Sequence, residues 1–435
     1  MTSTQSKQVD VAIVGGGIIG CAIAWYLNRR GLSVGVYEKG RIAGEQSGKN
    51  SGFVRKQGRD RREMLLIKRS LDLWGRIDAE IGDVTGFKAS GNLALASDEA
   101  KLEGMNAWLA IAREFDVDSR VASPSQLKDI SPTLRGSFLG GLHTPSDGRA
   151  EPNLAAPAIA RALAREGADV RQNCMVEGLL MEGGKVTGIV TEHGEVRTKT
   201  VVVAAGLWSG VFLRRYGVSL PQVDLRVSVG RTAPFSHGVA LPTIFDQALV
   251  RPRHDGGLTI APGLQGPLDY DTAFRSLRHA PRYIRTLFAS REGTRVNFGR
   301  HLRDDHRLVS AYLSGASNRY ADLRVPNVPA NDAVLAKSRA AARAAFGIGD
   351  EMKLIETWAC RIDITPDGVP VLDRLDALGN LVVATGMSGH GFGISLGVGD
   401  TLAELIDTGS TTIPLEPFRL ARFRERYFAA PQNVL

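Results

Sequence analysis

The chain has 435 residues, of which 43% are hydrophobic, so two or three domain-sized units with packed cores are expected. No uninterrupted apolar run reaches the roughly 18 to 20 residues that a membrane span needs, and the polar opening MTSTQSKQ does not read as a signal peptide. The expected compartment is the cytoplasm. The net charge is +8 and the pI near 9.5. The basic residues are dispersed, however, and runs such as RREMLLIKR and REGTRVNFGRHLR lack interleaved aromatics, which points to solvated faces and no nucleic-acid partner. Cys21, Cys174 and Cys360 are too few and too scattered for a disulfide framework or a zinc cage.

The first element spans residues 9–38, VDVAIVGGGIIGCAIAWYLNRRGLSVGVYE. An apolar strand at 11–14 meets three consecutive glycines, and Gly15, Gly17 and Gly20 fall at GxGxxG spacing. Gly15 permits the turn out of the strand, Gly17 lets the backbone approach a pyrophosphate, and Gly20 lets the new helix pack on the sheet. The helix start offers free N–H groups and partial positive charge to an anion. Gly31 can cap the helix in the left-handed region, and a second strand closes on Glu38, where an acid accepts hydrogen bonds from ribose hydroxyls. This order of strand, glycines, helix and terminal acid predicts a dinucleotide site open to either NAD or FAD.

Residues 59–82 carry Met64, Ile67, Leu71, Trp74, Ile77 and Ile81 at spacings of three and four, which predicts an amphipathic helix. A strand is expected over 86–96, a helix over 100–115 and another over 154–166. Three short strands follow at 176–181, 186–191 and 195–203, separated by the turns EGGK and EHGE, a β-meander. The last runs into VVVAAGLWS, whose small residues can lie against a nucleotide. Residues 220–330 alternate short apolar stretches with Pro and Gly and suggest a mainly antiparallel sheet. A helix is expected over 332–346 and a last one over 399–407. Before the latter, GMSGHGFGISLGVG (386–399) is a glycine loop whose N–H groups can face an electron-rich ring. Within it, His390 reads first as a packing or hydrogen-bonding residue and second as a proton shuttle.

Taken together, GGGIIG with Glu38, SGKNSGFVR (47–55), VVVAAGLWS, CRIDITPDGVPVL (360–372) and GMSGHGFGIS (386–395) resemble the FAD-dependent amine and amino-acid oxidoreductases. This is the superfamily of D-amino-acid oxidase, glycine oxidase, sarcosine oxidase and dimethylglycine dehydrogenase. The resemblance implies an α/β fold, α+β overall: a Rossmann-like FAD-binding domain with a β-meander, plus a substrate domain on a mainly antiparallel sheet. The first would be assembled from residues 1–85, 146–215 and 350–435, the second from 86–145 and 216–349. Gly15, Gly17, Ile19 and Gly20 would hold the pyrophosphate, with Glu38 and Lys39 at the adenosine ribose. Ser47, Gly48, Asn50, Ser51 and Gly52 would run past the ribityl chain and ring, and Val176 would offer its backbone to the adenine. Ala205, Gly206 and Trp208 would line the nucleotide, and Gly389, His390, Gly391, Phe392 and Gly393 would close on the pyrimidine end of the flavin.

Cys360 lies seven residues before Asp367, the spacing at which monomeric sarcosine oxidases bond flavin covalently; noncovalent FAD is the alternative. Ile362 stands where glycine oxidases carry a carboxylate-binding arginine, and Arg361 is one place earlier, on the opposite face of a strand. Gly393 replaces the lysine of sarcosine oxidases. These departures leave the substrate open. The implied reaction is hydride loss from a carbon beside nitrogen in an amine or amino acid, to flavin N5, with the imine then hydrolysed. A substrate carboxylate needs a cation. Lys49 and Arg55 are the leading candidates, because they flank the flavin loop. Arg251 and Arg253, in LVRPRHDGG, are further candidates that read first as surface charges, and His254 and Asp255 read as residues that shape the turn. Thr259 aligns where oxygen-reactive relatives hold a lysine, so a quinone-type acceptor is favoured over oxygen. Competing readings are an FAD-dependent 2-hydroxy-acid dehydrogenase acting on C–OH, a flavin subunit of a larger electron-transfer complex, and a nicotinamide enzyme.

Overall fold

The computed structural model describes residues 7–263, 269–283, 295–315 and 323–425. Two sheets carry the architecture. In the first, the buried strand Lys7–Val14 pairs in parallel with Val34–Tyr37 on one side and Gly194–Val203 on the other. Asp169–Arg171 extends the parallel set beyond Val34–Tyr37, and Leu381–Thr385 runs parallel to the last residues of Gly194–Val203. The first residues of Gly194–Val203 pair instead with Lys185–Thr191, which pairs with Val176–Glu182, so the expected meander hangs on the same sheet. Helix Ile18–Arg29 is almost entirely buried, as a helix at the centre of a doubly covered sheet must be. It packs against Gly391–Thr408 and Pro152–Arg165.

The second sheet has ten strands and is mainly antiparallel. Leu354–Ile364 pairs along Val223–Thr232, whose other edge is shared by Leu258–Ala261 and Asp269–Asp271. Two pairings are parallel: Thr243–Ile244 with Asn92–Ala96, and Asp269–Asp271 with Arg295–Asn297. Leu354–Ile364 falls in the stretch assigned from sequence to the cofactor part, yet its hydrogen bonds belong to this second sheet. A small sheet of Phe53–Val54, Gly148–Arg149 and Lys88–Ala89 lies between the larger ones in sequence and brings the loop after Ser47 against the strand that carries Arg149.

The helix expected over 59–82 is divided: a 3-10 turn Arg61–Glu63, then Met64–Trp74, then Ile77–Ile81, with a break at Gly75. The last helix starts eight residues before its expected position, at Gly391. A helix at Arg300–Leu313 stands within the region read as strands. Among the described residues no helix is long and apolar enough to cross a membrane.

Candidate active site

The parallel strands of the first sheet end together, Val14 opposite Val203 and Val203 opposite Val383. Small residues stand at or just past these ends: Gly15, Ala204 to Gly206, and Ala384 within Leu381–Thr385. Ligands of such sheets bind outside these carboxyl ends. Here a cavity of about 1420 Å³, counted with its open mouth, runs along the edge. Two helix N-termini open on it, those of Ile18–Arg29 and Gly391–Thr408.

The glycine crook is sterically obligatory. Gly15 has φ +110°, and a Cβ there would lie 2.6 Å from the Ala204 carbonyl oxygen. A Cβ on Gly20 would lie 2.1 Å from the Gly15 carbonyl oxygen, so only glycine lets the helix start this close to the strand. The Ile18 N–H, in the helix's first turn, donates to Ser47 Oγ at 2.8 Å. Glu38 accepts from the N–H groups of Gly16 (2.8 Å) and Gly40 (2.7 Å). Burial pushes its carboxyl above the usual range, against the pull of those two bonds. Glu45 links Lys39 Nζ (2.7 Å) to the indole N–H of Trp208 (2.9 Å).

Of the residues expected at the cofactor, Gly15, Gly17, Ile19, Glu38, Lys39, Ser47, Asn50, Val176, Ala205, Gly206, Trp208, Gly389, Gly391 and Phe392 line this one cavity. Gly20, Gly48, Ser51, Gly52, Cys360, His390 and Gly393 are not among the lining residues, nor are Lys49 and Arg55. Gly52 donates its N–H to Asn50 Oδ1 (2.8 Å), which shapes the loop, and the Gly393 carbonyl accepts from Ser70 Oγ (2.6 Å) and Trp74 Nε1 (3.1 Å). Cys360 is buried, and burial pushes its thiol up to about 12. Ile362, two residues along the same strand, does line the cavity.

Two buried carboxylates, neither singled out from sequence, set the glycine loop. Asp363 accepts from the Gly386 N–H (2.7 Å), Gln222 Nε2 (2.9 Å) and Thr385 Oγ1 (3.3 Å). Burial pushes it up to about 6. Glu63, fully buried, lies 3.0 Å from His390 Nδ1. Burial, reinforced by the nearby Arg59 charge, lowers the His390 pKa, which favours a neutral imidazole donating Nδ1–H to Glu63. His390 is therefore held as a hydrogen-bonding residue. The only sequence signal for its partner was that Glu63 follows a run of arginines at a helix start.

The cations differ most from expectation. Arg251 is no surface charge: it is 0% exposed. Its Nε donates to the Ser51 carbonyl (2.5 Å), Nη1 and Nη2 to Glu151 (2.8 and 3.1 Å), and Nη2 also to Thr259 Oγ1 (3.1 Å). Arg253 pairs with Asp255 (3.2 Å) and stands 3.9 Å from Glu151; Arg149 stands 3.7 Å from the same carboxylate. Glu151, 100 residues from Arg251 in sequence, is the counter-charge that makes this burial tolerable. His254 and Asp255 shape the turn as expected: the His254 N–H donates to Glu151 (2.8 Å) and Asp255 accepts from the Gly257 N–H (3.0 Å). Lys49 Nζ donates to the Pro326 carbonyl (3.1 Å), and burial lowers its pKa. Arg55 donates to the Gln57 carbonyl; burial and the neighbouring Arg59 bring it down to about 9. Arg361 pairs with Asp271 (3.1 Å) in the second sheet. Among the described residues no cluster of three or more His, Cys, Asp or Glu is arranged to hold a metal.

A dinucleotide fits these features: a crook with no room for side chains, an acid after the second strand, and a long cavity touched by two helix starts. Among known proteins, the chain is 26% identical to sarcosine oxidase subunit beta of Arthrobacter sp over 427 residues, 96% of this chain and 91% of that one. It is 25% identical to human mitochondrial sarcosine dehydrogenase over 434 residues, 98% of this chain but 42% of that relative, so it spans less than half of that protein. The solved structure of L-amino acid deaminase from Proteus myxofaciens, in complex with anthranilate, superposes with a TM-score of 0.90 at 25% identity, covering 98% of this chain and 96% of that one. The pattern of the FAD dependent oxidoreductase (DAO) family matches residues 10–405, and the chain belongs to that family.

Proposed function

We propose that the protein oxidises the carbon–nitrogen bond of an amino acid or a secondary amine to an imine, which water hydrolyses. The observation that carries this reading is the convergence of the glycine crook, the turn Gln46–Lys49 and the start of helix Gly391–Thr408 on one cavity. FAD, when bound, supplies the two-electron acceptor for the substrate's hydride. Gly15, Gly17 and Ile19 hold its pyrophosphate, Glu38 its ribose, and the N–H groups around Gly391 and Phe392 stabilise charge at the far end. No proton acceptor is required when the amine binds neutral. His390 then acts as a positioning residue, holding the glycine loop through Glu63. Lys49 and Arg55, engaged with backbone carbonyls outside the cavity lining, contribute only longer-range positive charge toward a substrate carboxylate, and the Arg251–Glu151 pair fixes the loop after Ser47 through the Ser51 carbonyl. Relatives named for sarcosine and for L-amino acids support an amine that also carries a carboxylate. The preference for a quinone-type acceptor over oxygen rests on the resemblance alone, in which Thr259 stands where oxygen-reactive relatives hold a lysine.

Anaerobic mixing of the FAD-loaded protein with panels of amino acids, N-methyl amino acids and 2-hydroxy acids tests the reading. Bleaching of the flavin absorbance by amines is the expected result; bleaching by hydroxy acids alone overturns it. Reoxidation by a soluble quinone is expected to be faster than by oxygen. A second reading, a flavin subunit of a larger electron-transfer assembly, is favoured by the relative named as a subunit. Turnover by the isolated chain would overturn that one.

A further inference from the structure

The adenosine half of the cavity has a wall contributed by the second sheet's own insertions. Tyr312, near the end of helix Arg300–Leu313, lines the cavity with Val176, Trp208 and Phe212. It is 3% exposed, and its hydroxyl donates to the Glu177 carbonyl at 3.3 Å, next to the start of the meander. Val309, fully buried, packs the same face of the helix, and Arg275 adds a polar attachment. Its Nη2 donates to the buried Asp224 (2.8 Å), a residue of Val223–Thr232, while its backbone N–H and Nη1 meet Asp305 of the helix at 2.9 and 3.3 Å. Its guanidinium also lies 4.7 Å from the Trp208 ring centroid, within cation–π range of a cavity residue. Asp224 is thus joined through Arg275 to Asp305, and the helix is held with Tyr312 at the cavity wall.

We propose that residues 269–283 and the helix Arg300–Leu313 form a clasp over the adenosine end of the FAD site, with Tyr312 as its contact and Asp224–Arg275 as its anchor. The inference rests on the FAD reading above and deepens it: this part of the chain sets how fast FAD leaves and how strongly FAD is preferred over FMN, which lacks the adenylate half. A helix that only filled the core would leave that preference alone.

The test uses the full-length protein loaded with FAD, and its apoprotein. FAD release is followed by the rise of flavin fluorescence after dilution, and FMN affinity by titrating the apoprotein. Tyr312→Ala is expected to speed FAD release about tenfold, the loss of one aromatic contact and its burial. Tyr312→Phe stays near the wild type. Asp224→Asn, remote from the ligand, speeds release severalfold by loosening Arg275. FMN affinity stays unchanged in all three, which also reports an intact fold. Wild-type release rates in both Tyr312→Ala and Asp224→Asn overturn the clasp, as does an equal loss of FMN and FAD. Failure of the wild-type chain to take up FAD at all overturns the functional reading and the clasp with it, so the two failures are distinguishable.

Discussion

Replacing Glu151 with glutamine tests the account of the buried basic cluster. Glu151 is 2% exposed and faces Arg251 at 2.8 Å, Arg149 at 3.7 Å and Arg253 at 3.9 Å. Burial alone would raise its pKa, but the Arg251 hydrogen bond and charge outweigh this and lower it. Removing one partner of a buried ion pair costs about 3–5 kcal/mol, because the other charge is left without compensation. Glu151→Gln leaves Arg251 without its buried counter-charge and beside Arg149 and Arg253, of which Arg253 keeps Asp255, and belongs at about 4 kcal/mol in that range. Arg251→Met strands one carboxylate, which still has Arg149, Arg253 and the His254 N–H around it. Its cost is about 2 kcal/mol. Once Glu151 is neutral, Arg251 has little left to lose, so the double variant costs about as much as Glu151→Gln alone, a coupling near 2 kcal/mol. Urea unfolding followed by tryptophan fluorescence measures all three. A Glu151→Gln cost below about 1 kcal/mol, a larger cost for Arg251→Met, or simple additivity would refute the reasoning.

Three further outcomes follow from the geometry. Gly20→Ala places a Cβ 2.1 Å from the Gly15 carbonyl oxygen, so the crook must open; the flavin-to-protein absorbance ratio of the purified variant is expected to fall at least about tenfold. Cys360 is buried and not among the cavity-lining residues, with its thiol pushed up to about 12, and acid precipitation of the loaded protein is expected to leave the yellow colour in the supernatant. Asp224 has pH-dependent worth: burial would raise it, but the charges of Arg275 and His301 bring it from 3.8 down to about 2. A depressed carboxylate stabilises the fold fully above its unfolded value and loses that contribution as pH falls through the folded one. The stability gap between wild type and Asp224→Asn, read from urea midpoints, therefore narrows by about 2 kcal/mol between pH 5 and pH 2.

The residues legible in the sequence are those whose reason is local backbone geometry. Gly15, Gly17 and Gly20 are written within six positions, and Glu38 ends the next strand, so spacing alone identified the crook. The meander was legible because two-residue turns punctuate alternating strands. The early start of the last helix was hidden by GHGFGIS, since each interior glycine costs about 1 kcal/mol of helix propensity. Packing of Gly391–Thr408 against Ile18–Arg29 and Met64–Trp74 overrides that cost, and no window of sequence contains the partners. Arg251 was misread for the same reason: an arginine in VRPRHDGG is a surface residue unless a carboxylate is delivered to it. Glu151 arrives from 100 positions away, and Glu63 reaches His390 across 327. Helix Arg300–Leu313 lies in a region that reads as strands because short apolar stretches between Pro and Gly dominate it; RHLRDDHRLVSAYL carries six apolar residues in fourteen, and its buried face is defined by where Val309 and Tyr312 land against the meander. Charged pairs across the chain thus decide whether a polar residue is solvent-facing or structural. A sequence rich in arginine, as this one is, conceals more of its site than its glycines reveal, because each buried arginine is explained only by a partner elsewhere.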